Sequence, residues 1–446
     1  MRRSSIRLIV VAALAGLLLW AVLAHTLPSY LANSDPELAH RINGKNTQAL
    51  LGLSDPQIQE LVEASNGKEG RIGSFASLPN DKTSNVPTHP QADKNSLKAL
   101  SVEAIKSDPL SAQAFANLGI LTALNGEDDK ANLYMSAAAQ RSHRHKLAVY
   151  WMMRQSFEEG SAHKALEFSD ALLRLSPQSI NAAAPILGRL AEDPTASGDF
   201  LEILKSNPPW RGAFFTHLKG NITDARTPLS LLLALKSSPN PPTLRELESY
   251  SALLREAGLY ELAYNAWLQF LPVEELKVAG FLFNGSFDFP SSGAPFDWDM
   301  NAKKGVVVDR VTVSGNPTLE IQFSGSQISP EITSQATMLM PGEYVLVGEA
   351  QGLVRSRRGL RWRVRCIADN KILAESRPLN GALDNKEIFE ASFSVPKENC
   401  RVQRVELAIE AFSGSDTMTA GQIRFDNLAI RRSETSTSNE EHPTRR

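Results

Sequence analysis

The sequence predicts a multidomain α plus β chain with an N-terminal transmembrane helix, an α-helical solenoid and a C-terminal β-sandwich. Three observations predict it. The first is an apolar run at residues 8–24, the second is a 34-residue period that begins near Ser96, and the third is a change to a two-residue period after Leu282. A chain of 446 residues is also too long for one hydrophobic core, so several domains are expected.

The apolar run is long enough to cross a bilayer once as a helix. Three arginines precede it, and no Lys or Arg follows before Arg41, so the positive-inside rule places the remainder of the chain outside the cytosol. We therefore predict a cytoplasmic tip at 1–6 and a transmembrane helix or signal anchor at 7–25. Cleavage after Ala24, as in a signal peptide, is the alternative, and it gives the same compartment.

Two segments separate this helix from the solenoid. Residues 26–66 contain two short amphipathic patterns and are predicted to form a short helical spacer. Residues 67–95 are rich in Ser, Gly, Pro, Asn, Asp and Lys and lack a sustained apolar period, so they are predicted to be a disordered linker.

Residues 96–275 are predicted to be helical. The segments ITDARTPLSLLLAL and TLRELESYSALLREAGLYELAYNAWLQFLP read as helices, and the second is predicted to be a hairpin that turns at Gly258. From Ser96 to about Gln178, small residues also recur at one spacing. Gly126 and Gly160 are one 34-residue step apart, and so are Ala131 and Ala165. Such residues let paired helices approach closely, and the pattern resembles the tetratricopeptide signature. The resemblance implies a solenoid whose groove binds proteins, although a rigid spacer explains the pattern equally well.

Residues 276–432 are predicted to form a β-sandwich. Apolar and polar residues alternate in short runs that Gly, Asn, Asp, Ser and Pro separate. The seven strand candidates are VVVDRVTV, TLEIQFSG, GEYVLVGEAQG, RWRVRCIAD, IFEASFSV, VQRVELAIEAF and QIRFDNLAI. Residues 433–446 are polar and are predicted to be a disordered tail.

Two segments bracket this region. The opening segment, residues 281–298, reads FLFNGSFDFPSSGAPFDW, and residues 421–430 read GQIRFDNLAI. They resemble the first and last strands of carbohydrate-binding jelly rolls. The resemblance implies a jelly roll whose first and last strands are neighbours, and a structural calcium ion with Asp288 and Asp426 as candidate ligands. The other calcium ligands cannot be located in the sequence.

The strongest local charge pattern lies in LRWRVRC. Arg361, Arg363 and Arg365 share one strand face, opposite a face that carries core residues. Their planar donor groups suit the carboxylates of an anionic polysaccharide. A solvated face that is balanced by carboxylates such as Glu406 and Glu410 is the alternative, and it is slightly favoured.

Trp298 is a further candidate for sugar binding, because carbohydrate modules stack sugars on exposed aromatic rings. It lies in PFDW beside Phe296, at the start of the predicted sandwich. Packing in the core is the favoured interpretation for both rings.

The chain has two cysteines, Cys366 and Cys400, and both lie in the predicted sandwich. In an oxidising compartment they could form a disulfide bond. Two unrelated buried thiols are the alternative.

Composition and motifs argue against several function classes. A net charge of −2 gives no basic field for nucleic acid. None of the eight histidines lies in the sandwich, and no nucleotide-binding glycine loop is present. A glycoside hydrolase needs only two carboxylates, so this class stays open; the candidates are Asp297, Asp299, Glu320, Glu343 and Glu349. We predict a non-enzyme without a cofactor, apart from the calcium option.

The architecture resembles accessory proteins of bacterial exopolysaccharide production and export, over residues 96–178 and 281–430. That resemblance implies a single-pass inner-membrane protein with its domains in the periplasm. Its jelly roll would bind a polysaccharide, and its helices would bind membrane-bound polysaccharide synthesis or export proteins. A pure protein–protein scaffold with a structural jelly roll is the alternative, and a glycoside hydrolase is the least favoured one.

Overall fold

A computed structural model of the protein describes residues 2–65, 93–292 and 296–433. Most of the predicted linker 67–95 and almost all of the predicted tail 433–446 lie outside these residues. The chain forms two compact units, Met1–Pro242 and Thr243–Arg446.

The first unit begins with the apolar helix. Helix α1 spans Arg2–Ala21, a π-helical turn follows at Val22–Thr26, and α2 spans Leu27–Leu31. Within this stretch Val11–Leu31 is long and apolar enough to cross a membrane, and only 6% of it is buried. Length and composition are also compatible with a signal sequence.

Most of the other described residues of the first unit lie in helices, and most of these helices pack against the next one along the chain. They are α3 Pro36–Ile42, α4 Thr47–Ser65, α5 Lys94–Ser107, α6 Ala112–Ala123, α7 Asp128–Arg141, α8 Lys146–Glu158, α9 Ala162–Leu175, α10 Ile180–Glu192, α11 Ser197–Lys205, α12 Arg211–Thr216 and α13 Arg226–Lys236. The turns within the hairpins α6–α7 and α8–α9 contain Gly126 and Gly160, at φ 78° and 72°. Ala131 and Ala165 are fully buried, and their small side chains allow close packing of the helices.

The second unit begins with three helices, α14 Leu244–Glu256, α15 Tyr260–Phe270 and α16 Val273–Lys277. The first two form the predicted hairpin, and Gly258 in the turn has φ 73°. The Trp267 ring meets the Phe283 ring edge to face at 5.0 Å, and it also contacts Phe296. The helical hairpin therefore packs on the opening segment of the sandwich.

Nine strands follow in the part of the second unit that the structure describes. They are β1 Val306–Val313, β2 Asn316–Gln327, β3 Glu331–Thr337, β4 Gly342–Ser356, β5 Leu360–Cys366, β6 Ile372–Glu375, β7 Gly381–Val395, β8 Gln403–Ile409 and β9 Met418–Arg432. One sheet has the order β1-β2-β9-β4-β7, and the other has the order β3-β8-β5-β6. All paired strands are antiparallel. Without the extra edge strand β1, this is the order of a jelly roll, so the predicted fold class and all seven predicted strands are confirmed.

The sandwich core lies between the two sheets and is rich in aromatic side chains. Trp362 is fully buried, stacks near Phe389 and meets Phe425 edge to face at 5.2 Å. Truncating such a side chain typically destabilises a protein by about 3–5 kcal/mol. Alternate residues of β5 point to opposite faces of the sheet, so Trp362 points inward and Arg361, Arg363 and Arg365 point outward.

The opening segment differs from the prediction, because its described residues do not form a strand. Asn284 and Phe287 have φ values of 51° and 57°, which turn the chain away from an extended path. The edge of β9 that would receive a first strand is paired with β2. The segment still contacts β9, because the Leu428 amide donates a hydrogen bond to the Gly285 carbonyl at 2.9 Å.

Candidate functional site

The two cysteines form a disulfide bond, which closes one end of the four-stranded sheet. Cys366 is the last residue of β5, and Cys400 precedes β8. Their Cα atoms are 5.0 Å apart, and both residues are buried in the core. A disulfide fits a domain that folds outside the cytosol.

The arginine face is the outer surface of the four-stranded sheet. It consists of Arg361, Arg363 and Arg365 of β5, Arg404 and Glu406 of β8, Glu331 of β3, and Glu375 of β6. The strand register places Glu406 and Glu375 on either side of Arg363. Acidic and basic residues therefore alternate along this row of the sheet, whereas Arg365 lies opposite Arg404 in a neighbouring row.

These charges are paired at close range. Arg363 contacts Glu375, and the Arg365 guanidinium lies 2.7 Å from a Glu406 oxygen. Arg361 instead donates a hydrogen bond to the Ser376 carbonyl at 3.1 Å. Burial raises the pKa of Glu406, and the charge of Arg365 opposes that rise.

The sequence left open whether the stripe is free or balanced. The structure shows a carboxylate beside Arg363 and another beside Arg365. Glu406 balances the stripe as the alternative interpretation expected, whereas Glu410 lies 3.6 Å from Arg358 in the β4–β5 turn. The face carries four arginines against three glutamates, so it is nearly neutral.

A groove adjoins this face near the disulfide end. Its volume is about 750 Å³, within the usual range of ligand sites. The sheet side is formed by β3, β8 and the residue after Cys366. The other side is formed by α14, α15 and the chain from the end of the opening segment to Asn301. The lining residues are Arg245, Glu248, Ser249, Ala252, Arg255, Tyr260, Asp297, Asp299, Asn301, Glu331, Ser334, Ala336, Ile367 and Arg404.

The groove is polar and balanced in charge. Three of its residues are arginines and four are acidic, and hydroxyl and amide groups lie among them. Burial is the main cause that raises the pKa of Asp297, whose carboxylate accepts hydrogen bonds from the backbone of Ser292 and Trp298. Asp299 lies 3.1 Å from the Lys303 ammonium. Tyr260 supplies the aromatic ring of the lining.

Trp298 does not belong to the groove surface. Its side chain is fully buried, and its ring packs against Phe287 and Trp362. The indole N–H donates a hydrogen bond to the Asn284 carbonyl at 3.1 Å. Trp298 is therefore a core residue and offers no ring face to a sugar. The same holds for Phe296, which is 1% exposed.

The candidate calcium ligands lie in different surroundings. Asp426 is buried and accepts hydrogen bonds from the Asn316 amide at 2.7 Å and from the Lys386 ammonium at 3.3 Å. Asp288 is exposed, and its carbonyl accepts a hydrogen bond from Arg310. Among the described residues no group of three His, Cys, Asp or Glu could hold a metal. The Lys386 ammonium supplies a positive charge beside Asp426. Calcium binding by Asp288 and Asp426 stays a prediction.

The sequence did not indicate the helical side of the groove. Arg245, Arg255 and Tyr260 lie on helices that are separated from the sheet strands by tens of residues. Each stands in an ordinary amphipathic helix, so no local pattern marks it. The proximity of the hairpin to the sheet, which follows from the packing of Trp267 on the opening segment, is what brings them into the site.

No family model matches the chain, and neither does a curated protein. A solved structure described as "CBM4 structure and function" is 16% identical, with a TM-score of 0.27, over 34% of this chain and 99% of that chain. TmCBM61 in complex with beta-1,4-galactotriose is 16% identical, with a TM-score of 0.23, over 35% of this chain and 99% of that chain. The CBM22-1-GH10 modules of Clostridium thermocellum endo-1,4-beta-D-xylanase 10B, complexed with xylohexaose, are 13% identical, with a TM-score of 0.20, over 30% of this chain and 26% of that chain.

Proposed function

We propose that the β-sandwich is a non-catalytic carbohydrate-binding domain that holds a polysaccharide in the groove between the helical hairpin and the four-stranded sheet. The observation that carries this proposal is the groove itself. It is about 750 Å³ in volume, and arginine, carboxylate, hydroxyl and amide groups line it together with one aromatic ring. Such groups hydrogen-bond to sugar hydroxyls, and Tyr260 can contact the apolar face of a sugar ring.

The charge balance narrows the ligand class. Most arginines of the adjoining face are engaged by carboxylates, and the groove contains one more acidic residue than basic residues. A strongly anionic polymer would have to displace these partners and would gain little net attraction. We therefore favour a neutral or weakly acidic polysaccharide over a polyuronate.

Three of the candidate carboxylates for a glycoside hydrolase have structural partners, which supports a non-enzymatic role. Glu320 lies 2.8 Å from Arg424, and Glu349 lies 2.8 Å from Lys386. Asp297 fixes backbone N–H groups in the opening segment. Each of these carboxylates is thus held in an interaction that stabilises the fold.

For the whole chain we propose a periplasmic accessory protein of exopolysaccharide synthesis or export, held in a bacterial inner membrane by Val11–Leu31. The disulfide supports the oxidising compartment. The helix pairs α6–α7 and α8–α9 begin 34 residues apart and support a tetratricopeptide-like solenoid. We propose that this solenoid binds the membrane-bound synthesis or export proteins.

Affinity electrophoresis of the detergent-purified full chain tests the carbohydrate proposal. Gels would contain neutral β-glucan, galactan or xylan, or the acidic polymer alginate. We expect retardation by a neutral polymer, and weaker retardation of Tyr260→Ala and Arg404→Ala. The control is Arg226→Ala, which removes a side chain that is 79% exposed in the first unit. Equal mobility of every variant on all gels would refute the proposal.

One observation favours a second function. The arginine face is balanced in charge, which is also typical of a solvated protein surface. If the jelly roll has only a structural role, the chain would be a protein–protein assembly scaffold. Cross-linking in membranes that maps a partner protein onto the arginine face, together with no polysaccharide retention, would establish this alternative.

A further inference from the structure

A second group of exposed side chains lies at the other end of the four-stranded sheet. The loop after β8 carries Phe412, whose side chain is 74% exposed, and the turn after β4 carries Arg357 and Arg358. Along β8 the distance from Arg404, in the groove, to Glu410, at the start of this loop, is about 20 Å at roughly 3.3 Å per residue. The loop is therefore separate from the groove.

A single exposed aromatic residue is not unusual by itself. Phe412 is distinguished by how firmly its loop is held. Asp416 is 2% exposed, and its carboxylate accepts hydrogen bonds from the amides of Phe412 and Ser413, both at 3.1 Å. The Thr417 carbonyl accepts a hydrogen bond from the Ile328 amide at 3.1 Å, which ties the loop to the sandwich. The ring is thus presented on a preorganised backbone.

The ring is also oriented by a cation. The guanidinium carbon of Arg358 lies 4.4 Å from the centre of the Phe412 ring. Arg358 in turn lies 3.4 Å from Asp416 and 3.6 Å from Glu410. One face of the ring is occupied in this way, and the high exposure of the side chain leaves the remainder of the ring to solvent.

Hydrogen-bonding groups surround the ring. Arg357 is 69% exposed and donates a hydrogen bond to the Ser415 hydroxyl at 3.2 Å. The hydroxyls of Ser413 and Ser415 lie 2.9 Å apart on the exposed loop. An aromatic face beside hydroxyl and guanidinium groups suits a sugar, which has an apolar C–H face and peripheral hydroxyls. The local charges of Arg357, Arg358, Glu410 and Asp416 cancel, which favours a neutral sugar.

We infer that Phe412, with Arg357, Ser413 and Ser415, forms a second sugar-binding subsite at the opposite end of the sheet from the groove. This inference rests on the proposed function, because the ligand is a sugar residue of the same neutral polysaccharide. The subsite is a loop tip without enclosing walls, so it contacts few sugar residues. Two subsites on one domain raise the affinity for a polymer that spans both of them.

Variants of the full chain test the subsite in the same retardation assay. Phe412→Ala should weaken retention of the neutral polymer by roughly 2- to 12-fold, the range expected for loss of one aromatic contact. Ile388→Ala is the matched control, because Ile388 is 71% exposed on the other sheet, and it should leave retention unchanged. Thermal unfolding should show the same midpoint for both variants.

Phe412→Trp gives a readout at the site itself. The variant should retain binding, and its fluorescence, after subtraction of the wild-type signal, should change as the polymer saturates the protein. If Phe412→Ala retains the polymer like wild type, or if the new tryptophan does not respond, the inference is overturned.

The variants also separate this inference from the proposed groove. Loss in Phe412→Ala with unchanged Tyr260→Ala supports the loop subsite and overturns the groove, and the reverse pattern does the opposite. If wild type binds none of the polymers, both are overturned.

Discussion

Removal of the disulfide should destabilise the sandwich by about 4 kcal/mol. The perturbation is the double variant Cys366→Ala with Cys400→Ala. The two residues are 34 positions apart, and the chain-entropy relation for a loop of this length gives about 3.8 kcal/mol at 25 °C. Both side chains are buried, so truncation also removes sulfur contacts from the core. The variant should therefore lose at least the entropic contribution.

The measurement is urea unfolding of the full chain, followed by tryptophan fluorescence. Trp298 and Trp362 are fully buried in the sandwich, so their exposure reports its unfolding, in a signal that also contains the buried Trp151 and Trp210 of the first unit. The control is Ser392→Ala with Ser394→Ala, which alters two exposed positions of β7 in the same domain. It should change the free energy of unfolding by less than about 0.5 kcal/mol.

Two results would refute this reasoning. Wild type purified without reductant should contain no titratable thiol after denaturation, because both cysteines of the chain are bonded. Thiol reactivity in that sample would contradict the disulfide. A double variant that unfolds within about 1 kcal/mol of wild type would contradict the loop-entropy argument, since the loop closure would then contribute little.

Three further predictions concern other parts of the chain. Burial raises the pKa of Asp55 to about 6 from 3.8, so this group stabilises the helical unit fully below pH 3.8 and ceases to do so as the pH rises through 6. Asp55→Asn should remove roughly 3 kcal/mol of this pH dependence in thermal melts at pH 4 and pH 8. Gly285→Ala would place a Cβ 1.8 Å from the Leu428 carbonyl oxygen, so it should destabilise the sandwich by about 1–3 kcal/mol in urea, whereas Gly280→Ala, with its nearest atom at 3.8 Å, should have little effect. Because the groove is balanced in charge, polysaccharide affinity should change less than about 3-fold between roughly 50 and 500 mM NaCl, and a steep decrease would indicate a polyanionic ligand.

Strands with clear alternation could be predicted from the sequence, and two others could not. In β3 the residues Thr333, Gln335 and Thr337 are buried although they are polar, so the pattern lacks an apolar period. The Gln335 side chain both accepts from and donates to the Phe283 backbone at 2.9 Å. The Gln335 side chain thus bonds the Phe283 backbone as a neighbouring strand would. Only the fold reveals this role. Strand β6 has four residues, which is too short for a periodic signal.

The opening segment shows how a motif can be placed correctly but assigned the wrong conformation. Its contact with β9 is present, because Gly285 lies directly against Leu428. The extended conformation is absent, since Asn284 has φ 51° and its amide group bonds to both backbone groups of Phe289. Asn tolerates this left-handed conformation better than most residues. The NG pair was therefore a turn signal inside a segment that was interpreted as a strand.

The arginine face shows why the candidate site could be predicted only in part. The two-residue period places Arg361, Arg363 and Arg365 on one side of β5, and it does so without any information about other strands. Whether these charges are free depends on the register of β6 and β8, which positions Glu375 and Glu406 beside Arg363. A shift of one residue would turn those carboxylates toward the core, where their burial would be prohibitive. The register is set by the apolar residues on the inner face, so the same packing that stabilises the sandwich also neutralises its outer surface. That neutrality is the physical reason to expect a ligand that is recognised by hydrogen bonds and ring contacts rather than by net charge.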